Sequence, residues 1–312
     1  MAETRNSYAV LGTGAVGGLY GGLLAKAGFD VHFLLHSDYE FVREHGLRVD
    51  SPLGDFRLTA PTIYRDVGAM PQVDVVLVCW KSTQNEHLRQ ALLHLCHPGT
   101  VVFVLQNGWD VERDAAEVVG QTQVLGGCCF LCSNKVGPGH IQHLDYGRIV
   151  FGEYSSTLTG SISSRMQLIA SEFQQSGIDI QPTEDLPAVR WRKLMWNIPY
   201  NGLSVVLDAD TSQMMNHSQT ACLVEELMIE VRAAASACGK EIEEFHITKM
   251  LEDTRKMVPY ASSMLLDYRH KRPMEVEAIV GNPLRASIAA GYRPAKVEML
   301  YRQLCFLNDS HV

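Results

Sequence analysis

The segment RWRKLMWNIPYN, residues 190–201, sets Lys193, Asn197 and Asn201 at four-residue intervals. Coiled as a helix at about 100° per residue, the three share an arc of roughly 80°, while Trp191, Leu194, Met195 and Ile198 gather on another side. One face has the character of core. The other offers an ammonium and two neutral amides that can donate and accept hydrogen bonds to a polar ligand. A lysine whose aliphatic stem lies beside Trp191 and whose ammonium reaches water would account for Lys193 alone, not for the amide ladder. Pro199 stands between the two asparagines and lacks the N–H that would bond the Met195 carbonyl, so the helix is expected to kink or end there.

A second stretch with chemical content is GTGAVG, residues 12–17, which follows the apolar run SYAVL and opens a helix-like stretch. In such a loop Gly12 makes a tight turn, Gly14 leaves room for a pyrophosphate against the backbone, and Gly17 allows close helix–strand packing. With Thr13, Ala15 and Val16 between them, these residues predict a dinucleotide-binding loop. The next strand, DVHFLLH, should end near the adenosine ribose, where an acid suits the hydroxyls of NAD and a base the phosphate of NADP. His36 and Ser37 can both donate to a phosphate, whereas Asp38 is close enough to favour the opposite. This chemistry leans to NADP and leaves NAD as the alternative; His36 as a plain solvated loop residue is a third reading. Two further strand ends are polar: VCWKS delivers Lys81 and VLQNGWD delivers Gln106, Asn107 and Gly108. Both are expected on the face that holds the glycine loop, in contact with cofactor.

The elements that must position these residues divide the chain in two. In the first half, SYAVLG, DVHFLLH, VDVVLVCW, GTVVFVLQN and QVLGGCCFLC are short apolar runs, and helix-like stretches occupy residues 15–27, 83–96 and 109–119. Continuous apolar strands separated by helices indicate an α/β fold, a Rossmann-type doubly wound parallel sheet covered on both faces. Further strands (GHIQHL, GRIVFG, GIDIQ) and a helix at about 160–176 precede PTEDLP, which reads as a linker. The expected domains are therefore residues 1–182, binding nucleotide, and 183–312, an all-helical C-terminal domain that carries substrate and catalytic residues. Helical spacing covers residues 188–206, 218–238, 241–256, 261–271, 274–290 and 294–307. Pro273 suits a first helical position, which would put Glu275 and Glu277 in a first turn where carboxylates are favoured.

Composition narrows the rest. The 312 residues carry a net charge of −8 with no Lys/Arg run, so neither nucleic acid nor an anionic membrane is an expected partner. The N-terminus lacks a secretory pattern and no apolar run approaches a membrane span, which predicts a cytoplasmic protein. Eight cysteines are too sparse for a disulfide scaffold. Cys128, Cys129 and Cys132 in CCFLC read as packed thiols of a strand, and His94, Cys96 and His97 in HLCHPG as the end of a helix, so no metal is expected.

Taken in order, VLGTGAVGGLYGGLLAKAG, CWKS, QNG, RWRKLMWNIPYNGLS and SSMLLDYRHKRPMEVEAIVG resemble the ketopantoate reductase (2-dehydropantoate 2-reductase) family over nearly the whole chain. The resemblance implies that NADPH gives hydride to the C2 ketone of a 2-oxo acid, 2-dehydropantoate, in pantothenate biosynthesis. It implies that Lys193 donates the proton to the developing alkoxide, that Asn197 and Asn201 hold polar groups of the substrate, and that Asn107 meets both cofactor and substrate. Ser263 would bind the carboxylate, and Glu275 would hydrogen-bond the substrate hydroxyl or the cofactor near the lysine. Cys132 falls where a small residue lies beside the cofactor. The family pattern has arginine where this chain has His36, and often asparagine near the DADT stretch around Thr211. Two alternatives stand beside this reading: the same machinery acting on another branched 2-oxo acid, and a nucleotide-binding regulator without catalysis, which would lack Lys193 or Glu275. A homodimer is the ordinary assembly for an enzyme of this size.

Overall fold

The strand VDVVLV, buried along nearly its whole length, shows how the first half is organised: a strand with both faces apolar belongs in the middle of a covered sheet. In a computed structural model, which describes residues 5–310, it lies near the centre of a ten-stranded sheet. In chain order the elements are β1 (Ser7–Leu11), α1 (Ala15–Lys26), β2 (Asp30–Leu34), α2 (Tyr39–His45), β3 (Leu47–Asp50), β4 (Phe56–Leu58), β5 (Thr62–Tyr64) and β6 (Val73–Val78). There follow α3 (Leu88–Leu95), β7 (Cys96–Val104), α4 (Arg113–Val119), β8 (Val124–Gly137), β9 (His140–Glu153), α5 (Ser164–Gln175) and β10 (Ile180–Pro182).

The spatial order is β4-β3-β9-β8-β7-β6-β1-β2-β5, with β10 on β9. From β5 through β8 all pairs are parallel, as the apolar runs and intervening helices require. The sheet is not parallel throughout: β9 runs antiparallel to β8, and β4 antiparallel to β3. The reason is local. β8 and β9 are joined by the short turn around Pro138-Gly139, with Gly139 at φ 58°, and a hairpin needs no crossover helix.

Several sequence expectations shift at this level. The helix expected over 83–96 is a 3-10 segment, Ser82–His87, followed by α3, and the one expected over 109–119 begins only at Arg113. Gly108 at φ 123° and Asp110 at φ 56° keep the chain out of helix before that. The CCFLC run lies within β8 with Cys128, Cys129 and Cys132 buried, and His94 is bonded to the Met70 carbonyl at 2.9 Å.

The described chain falls into two compact units. One takes in the chain up to Gln106 together with Val111–Leu186; the other comprises Asn107–Asp110 and the chain from Pro187 onward. The second unit is helical: α6 (Leu186–Leu207), α7 (Thr211–Asn216), α8 (Ser218–Ala237), α9 (Phe245–Lys256), α10 (Ser263–Arg269), a π-helical turn Glu277–Gly281, α11 (Asn282–Ala289) and α12 (Ala295–Asp309). Its core includes Trp191, Leu194, Met195 and Ile198, the apolar side read from the sequence. Pro199 does not end α6, which continues eight residues past it. α7 carries a capping box in DTSQ, where Asp210 accepts from the Gln213 N–H and Gln213 from the Asp210 N–H. No helix among the described residues is long and apolar enough to cross a membrane.

Candidate active site

In the sheet unit the three glycines of the loop behave as three different devices. Gly12 sits at φ 95°, and a Cβ there would stand 2.5 Å from the backbone nitrogen of Trp80. A Cβ on Gly17 would collide with the Gly12 carbonyl, whereas one on Gly14 would meet nothing within 4 Å. The loop is thus tight at its turn, closely packed at its helix, and open where a pyrophosphate must approach the backbone. α1 begins at Ala15 after the N-cap Gly14, with no side-chain cap and no acid in its first turn, so its leading N–H groups and the positive helix end suit an anion. The residues present fit a dinucleotide.

The other residues expected at the cofactor are tied to this loop. Leu11 O accepts from the N–H groups of Cys79 and Trp80, both at 2.8 Å, which brings the end of β6 and Lys81 beside it. Thr13 Oγ1 donates to Leu34 O at 3.0 Å, which brings up the end of β2, with His36 exposed two residues on. Ser133 Oγ donates to Ala15 O at 3.4 Å, so neighbouring Cys132 on β8 belongs to the same region as Ala15 and Val16. Burial pushes the Cys132 thiol up to about 12, the behaviour of a packed side chain rather than a nucleophile.

In the helical unit Lys193 Nζ donates to Asn107 Oδ1 at 2.6 Å. The tetrapeptide Asn107–Asp110 is clamped to reach it. Trp109 N donates to Ala278 O at 2.9 Å, Asn282 Nδ2 to Trp109 O at 3.1 Å, and the rings of Trp109 and Trp191 lie 4.7 Å apart. The Ala278 carbonyl is available because of Pro283. In the π-helical turn the Asn282 N–H bonds Glu277 O, and the next partner in that register, residue 283, has no N–H to give. A Cβ on Gly108 would stand 2.5 Å from the same Ala278 oxygen, so only glycine admits the approach. Sequence reasoning singles out Gly108 as part of a polar strand end but does not reveal that Gly108, Trp109 and Ala278 meet, because the pairing joins segments about 170 residues apart.

Asn197 and Asn201 are each 4% exposed, and neither side-chain amide has a hydrogen-bond partner among the described residues. An amide both donates and accepts hydrogen bonds, so two on one helix face, spaced from a lysine, are suited to a polar ligand. Ser204 links this face to α10: its hydroxyl donates to Asn201 O at 2.9 Å and accepts, at 2.8 Å, from Ser262, the N-cap of α10. Ser263 is the next residue, half-buried at the first position of that helix. Glu275 is buried, but not in a helical first turn as expected. Pro273–Glu275 precedes the helix, and the Glu275 carbonyl accepts from Ile279 N at 3.1 Å. Thr211 is also structural here, its hydroxyl accepting from Tyr260 N at 3.1 Å.

The chain matches the family description "Ketopantoate reductase PanE/ApbA" over residues 8–156 and "Ketopantoate reductase PanE/ApbA C terminal" over residues 185–308. It is 52% identical over 305 residues to a 2-dehydropantoate 2-reductase of Nostoc sp., covering 97% of this chain and 96% of that protein. The crystal structure of 2-dehydropantoate 2-reductase from Geobacter metallireducens superposes with a TM-score of 0.92 at 38% identity, over 96% of this chain and 99% of that one. That of the Methylococcus capsulatus protein gives 0.86 at 33%, over 98% and 97%. The glycine loop, the lysine with its amide ladder and the clamped Asn107 thus occur in a chain that belongs, over both of its units, to the ketopantoate reductase family.

Proposed function

We propose that this protein reduces 2-dehydropantoate to pantoate with NADPH. The observation that carries the reading is one helix face bearing Lys193, bonded to Asn107 Oδ1 at 2.6 Å, and two buried amides without protein partners. Bound NADPH supplies the hydride that C2 of the keto acid accepts. As the ketone oxygen gains negative charge, the Lys193 ammonium stabilises it and gives up a proton, leaving the hydroxyl of the product. Asn107, an acceptor only for that ammonium, holds it in place. Asn197 and Asn201 orient the substrate with neutral amides that do not compete for its charge. The Ser263 hydroxyl receives the carboxylate, and Glu275 bonds the substrate hydroxyl or the nicotinamide ribose and favours the charged lysine. NADPH rather than NADH is supported by the fate of Asp38, the acid nearest the end of β2, whose carboxylate is engaged by Lys135 at 2.6 Å.

The test is loss of reduced-nicotinamide absorbance with purified protein and 2-dehydropantoate, with NADPH and NADH run in parallel. Rapid oxidation of NADPH is expected. Turnover of several other branched 2-oxo acids with none of 2-dehydropantoate would reject the substrate, and equal rates with both nucleotides would reject the cofactor preference.

A further inference from the structure

The ends of β2 and β5 lie side by side. Leu34 pairs with Tyr64, and Leu35 N donates to Tyr64 O at 2.8 Å, so the residues just beyond, His36 and Arg65, leave the sheet at the same edge. This is also the edge to which Thr13 of the glycine loop is bonded, through Leu34 O. The Arg65 guanidinium lies 5.0 Å from the centre of the Tyr39 ring, and its Nη2 is 3.0 Å from Glu40 Oε1. The ring contact orients a planar, forked donor of the kind that binds phosphate oxygens in pairs. Its bond to Glu40 is weakly held: the side chains are 61% and 51% exposed, and Glu40 also serves Arg43 at 2.6 Å. Exposed pairs of this kind contribute little, so an incoming dianion can replace the carboxylate.

The competing acid at this edge is out of play. Asp38 accepts from Lys135 Nζ at 2.6 Å, from Gly139 N at 2.8 Å and from Ser37 Oγ at 3.0 Å. Burial alone would push its carboxyl up, but these donors outweigh it and hold the group ionised below the usual range. The Ser37 hydroxyl proton is directed at Asp38, so Ser37 does not serve as the phosphate donor its exposure first suggests. The charged groups here are Arg65 and Arg43, both paired with Glu40, and Lys135, paired with Asp38; His36, just past β2, is exposed.

We propose that Arg65, with His36, forms the site for the 2′-phosphate of NADPH, and that Lys135 is a positioning residue that keeps Asp38 from occupying or repelling it. The inference rests on the NADPH reading above and names the residues that would enforce it. An arginine supplied by the neighbouring parallel strand does the work that no basic residue at the end of β2 other than His36 could do.

The experiment is calorimetric binding of adenosine 2′,5′-bisphosphate and of adenosine 5′-monophosphate to the full chain, two probes that differ only in the phosphate at issue. Wild-type protein is expected to bind the bisphosphate at least about 10-fold tighter. Arg65→Ala should lose about 10- to 100-fold of that affinity, the range of a charge-assisted phosphate contact, while monophosphate binding stays within about twofold. Arg65→Lys should recover part of the loss, and Glu40→Gln, which releases the guanidinium, should tighten the bisphosphate by about two- to fivefold. Lys135→Met should weaken the bisphosphate more than the monophosphate. Discrimination by wild type that survives in Arg65→Ala would overturn the inference and leave the NADPH reading standing. Equal losses for both probes would make Arg65 and Lys135 merely structural and overturn it as well. Wild-type protein that does not distinguish the probes would sink the NADPH reading itself.

Discussion

Replacing Asn197 by leucine should stabilise the ligand-free protein and cripple it as an enzyme. Asn197 lies in the interior of α6, is 4% exposed and has no side-chain hydrogen bond among the described residues. Leucine is the better helix former by a few tenths of a kcal/mol. Replacing a largely buried amide that makes no protein hydrogen bond adds about 1 kcal/mol, the low end of the range for burying a polar group. Together these give about 1.5 kcal/mol, or a rise in Tm of roughly 3–6 °C for a unit of this size. On the proposed role of this amide in holding substrate, the same substitution should lower kcat/KM about 10- to 100-fold. Asn107→Leu provides the contrast. Its Oδ1 accepts from Lys193 Nζ, so the substitution deletes a charge-assisted hydrogen bond and should lower Tm. The assay is thermal unfolding without ligand, beside steady-state kinetics on the same preparations. A Tm lowered by Asn197→Leu would mean that the amide already has a protein partner, and the argument that it awaits a ligand would fail.

Three further outcomes are expected. Lys193→Ala should lower kcat by at least about 100-fold, the lower range for loss of a general acid, while NADPH binding measured by calorimetry survives. A thiol reagent should label exposed Cys222 quickly in the native protein and leave Cys128, Cys129 and Cys132 protected until unfolding, as followed by mass spectrometry. Asp38→Asn should cost about 1–3 kcal/mol at neutral pH by stranding Lys135. Because the folded carboxyl titrates below its unfolded value, this stabilisation is complete above about pH 5 and is lost as pH falls through the folded value. The Tm difference between wild type and variant should therefore be constant near neutrality and shrink below about pH 4; a difference that grows on acidification would reverse the assignment.

What the sequence makes legible is what a local period or a strand–turn–helix junction can carry. GTGAVG announces itself because the turn, the open approach and the close packing are all decided within six residues. The ladder Lys193, Asn197, Asn201 is visible because one helical repeat defines both its polar face and the core behind it. Where distant segments decide, the same sequence misleads. Pro273 reads as a helix start and places Glu275 in a first turn, yet the helix begins after Glu275 and passes at once into a π-helical turn. The strands at 47–64 are too short to stand out, and without β5 nothing connects Arg65 to the end of β2. Pro283 is the sharpest case. In sequence it is a breaker; in the fold its missing N–H leaves the Ala278 carbonyl to bind Trp109, and that bond holds Asn107 against Lys193, 86 residues further along the chain. The position of the Lys193 ammonium is thus tied to a hydrogen bond that a proline cannot make, and no pattern confined to either segment could reveal it.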